Sequence, residues 1–169
     1  MKNINREELN KILKEHELWL EGEGGKRADL SNTDLSNINL SNANLKDADL
    51  KDSNLTCTDL KNANLRNTDL SNADLRYADL SNANLRCANL SSADFKNADL
   101  NNTDLKDADL KDSNLTCTDL SNANLRNTDL SDADLTCTDL SNADLSNADL
   151  RGADFKNADL NNTDLKDAD

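Results

Sequence analysis

The sequence has no proline, only four glycines and 2% aromatic residues in 169. That poverty excludes a conventional mixed core threaded by Pro- and Gly-rich turns, and it leaves His16 as the sole imidazole for any catalytic chemistry. Long apolar runs are also missing and the mean hydropathy is -0.83, so we expect neither a membrane span nor a secretory signal. The chain reads as a soluble, cytoplasmic, single-domain protein. Positive charge is scarce: 19 Lys and Arg stand against 33 Asp and Glu, a net charge of -14. Such a surface repels a nucleic-acid backbone and an anionic membrane, so no direct nucleic-acid or membrane contact is expected. What it leaves open is a protein partner that is cationic or that ordinarily grips DNA.

What is present is a period. From Leu30 to Leu165 every fifth residue is Leu, apart from Phe95 and Phe155, over 28 consecutive positions. Two residues before each stands a small side chain, as at Ala28, Thr33, Ser53 and Ala73, with Ile38 the one large exception. Between the two lies only Asp or Asn. This order outweighs the low hydrophobicity and high charge that would otherwise suggest disorder. A period of five fits neither a strand nor a helix, because on a helix it advances about 500° and scatters the leucines around every side. It does fit a chain that runs three residues extended, small side chain in, acid out, leucine in, and then turns a corner on two polar residues. Four such sides close a square, and stacked squares pair their backbones at the ~4.8 Å spacing of neighbouring strands. Asn and Asp recur at the second corner residue because they tolerate a left-handed backbone.

These repeats, with their A(D/N)LXX pattern from Ala28 to Asp169, resemble the pentapeptide-repeat family. The resemblance implies an all-β solenoid, a right-handed quadrilateral β-helix of about seven 20-residue coils spanning 28–169. It further implies a non-enzymatic scaffold or protein-interaction module. A minority of the family bind bacterial DNA gyrase or another type II topoisomerase by resembling DNA, which is the alternative reading of function.

Residues 1–27 differ. Asn5 followed by Glu8 reads as a capping box, Ile4 and Leu9 as a hydrophobic staple, and Leu9, Ile12, Leu13, His16, Trp19 and Leu20 share one helical face. Gly22, Gly24 and Gly25 end the helix. A first coil needs a cap over its leucines and its unpaired backbone, and we assign that role to this helix, with Trp19 closing the end. The segment also resembles the His-x-x-Trp-Leu leaders that precede bacterial and phage pentapeptide runs. No cap is visible at the other end, where an open last coil suggests a homodimer of rods meeting about a twofold axis. The stretch 153–169 repeats 93–109, and 106–130 repeats 46–70 except for Ser121 in place of Lys61, both at an offset of 60 residues, or three coils.

Residues 20 apart stack, so the surface can be read in columns. Asp59, Asp79, Asp99, Asp119, Asp139 and Asp159 form a carboxylate ladder, the candidate interaction surface. Asn42, Asn62, Asn82, Asn102, Asn122, Asn142 and Asn162 fill one corner, where amides can bond from coil to coil. Lys46, Arg66, Arg86, Lys106, Arg126 and Lys166 share another column. The first 27 residues carry six Glu and six Lys or Arg, so the whole -14 lies on the coils. That charge keeps a solenoid soluble, and on a rod of ~34 Å, about ten base pairs long, it also imitates DNA.

Catalysis finds no footing: there is no base near the repeats, no phosphate loop and no paired carboxylates in distinct environments, and no cofactor is implied. Cys57, Cys117 and Cys137 share one corner column and Cys87 lies on the opposite one, a spacing that does not suit zinc, and all four are expected as free thiols. The Thr-Cys-Thr triplets put Thr58, Thr118 and Thr138 inside, so no flat ice-binding threonine array can form.

Overall fold

The computed structural model describes residues 1–169. Helix α1 (Arg6–Glu21) is followed by a four-sided parallel β-solenoid. Each side is so short that pairing reduces to one bridge per side per coil, joining residues 20 apart from Asp29↔Asp49 to Asp144↔Asp164. The path Asp94↔Asn114↔Asp134↔Asp154 places Phe95 and Phe155 on one side three coils apart, as the 20-residue coil requires.

One corner illustrates the rest. The Leu80 N–H donates to the Asp99 carbonyl of the next coil at 2.7 Å, and the Asp99 N–H donates back to Ala78 at 2.9 Å. The Ala83 N–H donates to Leu80 at 2.9 Å, closing the turn, and the Asn82 N–H donates onward to Asn101 at 3.0 Å. The second corner residue is left-handed throughout, with φ between 52° and 62° at 27 non-glycine positions and 76° at Gly152. Asn and Asp take this conformation at lower cost than other residues, which explains their dominance there. Gly152 has a second reason: a Cβ would strike the Asp132 carboxylate of the coil before it.

The leucines of the interior coils are fully buried, with Phe95 taking one of their places. The small position holds Ala, Ser or Thr throughout, apart from the partly buried Ile38, and threonine hydroxyls buried there turn to backbone carbonyls: Thr58 to Leu35 at 2.8 Å, Thr118 to Phe95 at 2.9 Å, Thr138 to Leu115 at 2.7 Å. These threonines are therefore sealed inside, away from any surface array.

The N-terminal end departs from expectation in two ways. Trp19 is not the residue that fills it: the indole is 38% exposed, whereas His16 is fully buried and Leu9 nearly so. Trp19 instead stacks on His16, with ring centroids 5.7 Å apart. The square mouth of the first coil admits the smaller imidazole, whose Nδ1 accepts the Ala28 N–H at 3.1 Å, and the larger indole lids it from outside. Ile4, Ile12 and Leu13 pack partly buried against the core, and Leu20 is half-buried. The second departure is a strand, β1 (Lys2–Asn3), pairing in parallel with β2 (Thr33–Asp34) to cover one edge of the first coil. The capping box is half made. Asn5 accepts the Glu8 N–H at 2.8 Å, but the Glu8 carboxylate pairs with Lys2 at 2.7 Å. Gly22 ends α1 at φ 77°, and a side chain on Gly25 would collide with the Glu15 carbonyl of the helix.

At the other end Phe155 is partly buried, and Leu160 and Leu165 are 38% and 43% exposed. No helix is long and apolar enough to cross a membrane.

Candidate functional site

The six predicted aspartates form one continuous column, bridged in turn from Asp59↔Asp79 to Asp139↔Asp159 and extended at its start by Asn39↔Asp59. Five are half-buried and Asp159 is exposed. Each is aimed by the same local device: one carboxylate oxygen accepts the backbone N–H two residues on, at 3.1 Å from Lys61, 2.9 Å from Ser81, 3.0 Å from Asn101 and 2.9 Å from Ser121, Ser141 and Asn161. This is an Asx turn, and it occurs along the other sides too, which explains why only Asp or Asn stands at the outward position. The sequence reading missed that role. Its signal was the absence of Glu and Gln there, since a longer side chain carries its oxygen past the turn N–H. The carboxylates are thus turn-formers with one oxygen still turned to solvent.

The faces differ in what surrounds these oxygens. On the side of Asp34 to Asp154, Arg76 binds Asp74 at 2.6 Å and reaches Asp94 at 3.8 Å. On the side of Asp29 to Asp169, Arg151 pairs with Asp149. The basic column meets Asp47, Asp107 and Asp144 through Lys46, Arg86 and Arg126. None of the ion pairs touches the Asp59–Asp159 column, although Arg76 stands on the corner just before it and turns the other way. The corner after the column is Ser or Asn apart from Lys61. Elsewhere the pairing is felt by the acids: the Arg151 guanidinium holds Asp149 down to about 2, and Arg76 lowers Asp74. Ser31 and Ser36 hydroxyls lower Asp29 and Asp34 in the same way.

The expected amide ladder is weaker than its register suggested. Within the Asn42–Asn162 column only Asn62 to Asn42 and Asn162 to Asn142 connect, both at 3.4 Å. Firmer coil-to-coil bonds form at outward positions, where an Asn amide donates down to Asp or Asn: Asn54 to Asp34 at 3.1 Å, Asn114 to Asp94 at 3.0 Å, Asn64 to Asn44 at 2.9 Å. An Asn above an Asp donates to the same carboxylate oxygen that accepts the turn N–H, as Asn54 and the Ser36 N–H both do at Asp34 Oδ1, a coil-to-coil bond that two stacked carboxylates cannot form. The Asp59–Asp159 column, aspartate throughout, has no such bond.

A solenoid of four short sides, turned at every corner by a left-handed residue and carrying a polar outer layer, defines a repeat-protein scaffold. The chain belongs to the pentapeptide repeats family: eight copies of that repeat pattern match, over stretches reaching from residue 26 to residue 169. As a member of that family it is a repeat-protein scaffold, and no group of three or more His, Cys, Asp or Glu side chains is placed to hold a metal ion. Comparison with curated protein sequences gave no match. Among solved structures the chain is similar to a pentapeptide repeat protein from the Arabidopsis thaliana thylakoid lumen, at 31% identity over 60% of this chain and 70% of that one, TM-score 0.58. It is also similar in fold to trypsin-treated QnrB1, a plasmid-mediated fluoroquinolone resistance protein, at 21% identity over 80% of this chain and 74% of that one, TM-score 0.60. A pentapeptide repeat protein from Nostoc Pcc 7120 matches at 37% identity over 63% and 78%, TM-score 0.41.

Proposed function

We propose that the rod is a cytoplasmic interaction module that presents the Asp59, Asp79, Asp99, Asp119, Asp139 and Asp159 column to a protein groove built for DNA, the DNA site of a type II topoisomerase such as bacterial gyrase. The observation that carries this reading is that this column alone is aspartate in six consecutive coils and enters no ion pair. Its carboxylates repeat at ~4.8 Å, against ~3.4 Å for the phosphates of one DNA strand. The -14 of the coils spread over ~34 Å gives one net charge per ~2.4 Å, approaching the ~1.7 Å of duplex DNA. The fold likeness to a fluoroquinolone resistance protein points the same way.

The test is gyrase supercoiling of plasmid DNA with added protein at several salt concentrations. The expected result is inhibition that weakens as salt rises, and its loss by at least about tenfold in Asp79→Asn/Asp99→Asn/Asp119→Asn, which keeps the turn acceptor and removes only charge. No inhibition at any salt overturns the topoisomerase reading and leaves the scaffold with another partner.

A further inference from the structure

Cys117 and Cys137 occupy the same corner of consecutive coils, whereas Cys57 stacks between Asn37 and Tyr77 and Cys87 between Asn67 and Asp107. Both thiols are free and exposed. Their backbones are alike, with φ 56° and 59°, and the Cys117 N–H donates to the Thr136 carbonyl at 2.9 Å, so one corner is the other moved by a single coil. Two copies related by translation have parallel Cα–Cβ bonds, and their Cβ atoms therefore stay one strand spacing apart, ~4.8 Å. A disulfide needs Cβ atoms ~3.5–4.5 Å apart and sulfurs that converge. Two thiolates facing each other across one metal ion, at ~2.3 Å per bond, span ~4.6 Å. The stacking distance that strains a disulfide thus matches linear two-sulfur coordination.

We propose that Cys117 and Cys137 form a binding site for a soft monovalent d10 cation of the Cu(I) or Ag(I) class. Thiolate sulfur selects such ions over harder ones, and the absence of any three-ligand cluster denies zinc the four donors it takes. The Thr116 hydroxyl, next to Cys117 in sequence, is turned to Asn114, to which it donates at 2.6 Å. A protein of charge -14 also concentrates cations at its surface. On binding, each S–H bond is replaced by a sulfur–metal bond, two protons leave to solvent, and nothing is oxidised or reduced.

The reduced full chain is titrated with Ag(I) against a competing thiol chelator, and the bound ions are counted by native mass spectrometry. The unmodified chain and Cys57→Ser/Cys87→Ser should each retain one ion per chain. Cys117→Ser and Cys137→Ser should each weaken binding by about 100-fold or more, as expected when a second ligand is no longer tethered beside the first. Serine is tolerated at a second corner residue, because Ser92 takes the same left-handed conformation, φ 57°, at the equivalent position of another corner. Equal affinity in either single variant, or one ion bridging two chains, overturns the site. Rapid loss of two hydrogens in ion-free protein would overturn the parallel-thiol geometry on which it rests.

Discussion

At the residue scale, the outward Asp or Asn serves the turn first and the surface second. Asp119 accepts the Ser121 N–H, so Asp119→Asn should leave stability within about 0.5 kcal/mol, while Asp119→Ala, which strands that donor, should cost about 1 kcal/mol in urea melts. An equal cost for both would mean that charge, not the turn acceptor, is what the position supplies. Beside it, Leu80→Ala removes a fully buried side chain from a column closed above and below, and should cost ~2–5 kcal/mol. The corner residue Ser81 is itself only 3% exposed and donates to Asp79 at 2.6 Å, so Ser81→Ala should cost about 1 kcal/mol rather than nothing. The inward register of Leu80 was legible because the five-residue period repeats it without a slip. The burial of Ser81 was not, because it arises from the stacked neighbours Lys61 and Asn101, which no local pattern joins.

At the scale of elements, α1 and β1 form a lid whose keystone is His16. Burial lowers the His16 pKa, against smaller raising effects from the Lys46 carbonyl and Asp47 and a lowering one from Arg27. Because Nδ1 accepts the Ala28 N–H, a proton there removes the bond that joins helix to first coil. The folded pKa lies below the unfolded ~6.5, so the lid's stability is full above that pH and is lost as pH falls below it toward the folded value. The protection factors of the Ala28 and neighbouring first-coil amides, that is, exchange corrected for its intrinsic slowing at lower pH, should therefore fall between pH 7.5 and 5. His16→Asn, which offers a neutral acceptor, should flatten that dependence; an unchanged pH profile in the variant would assign the effect to the carboxylates instead. The helix, its Asn5 cap and its glycine stop were all readable from 3.6-residue spacing and terminal residues. Which of His16 and Trp19 enters the core was not, since they lie three residues apart on one face and only the size of the coil's mouth separates them. The two-residue strand β1 is too short to leave a pattern.

At the scale of the whole molecule, a solenoid whose coils touch only their neighbours can lose repeats in units of five without losing its inward leucines. This separates net charge from charge placement. Deleting 76–80 removes one Arg and one Asp, leaves the charge at -14, and turns everything after it by one side of the square. The aspartates from Asp99 onward then leave the face of Asp59 and continue the side of Asp34 and Asp74. Deleting 71–90 removes two Arg and two Asp, again leaves -14, and takes out one whole coil, so the column is shortened from six aspartates to five but stays straight. Both deletions lack Tyr77, so its loss cannot distinguish them. Circular dichroism and melting should show both variants folded. If the carboxylate column is what a topoisomerase grips, the whole-coil deletion should inhibit supercoiling within a few-fold of the parent, and the single-side deletion should lose about tenfold or more. Equal inhibition by the two would mean that bulk charge, not the straight ladder, is what the partner recognises, because they share the same charge and differ in the direction in which half of it points.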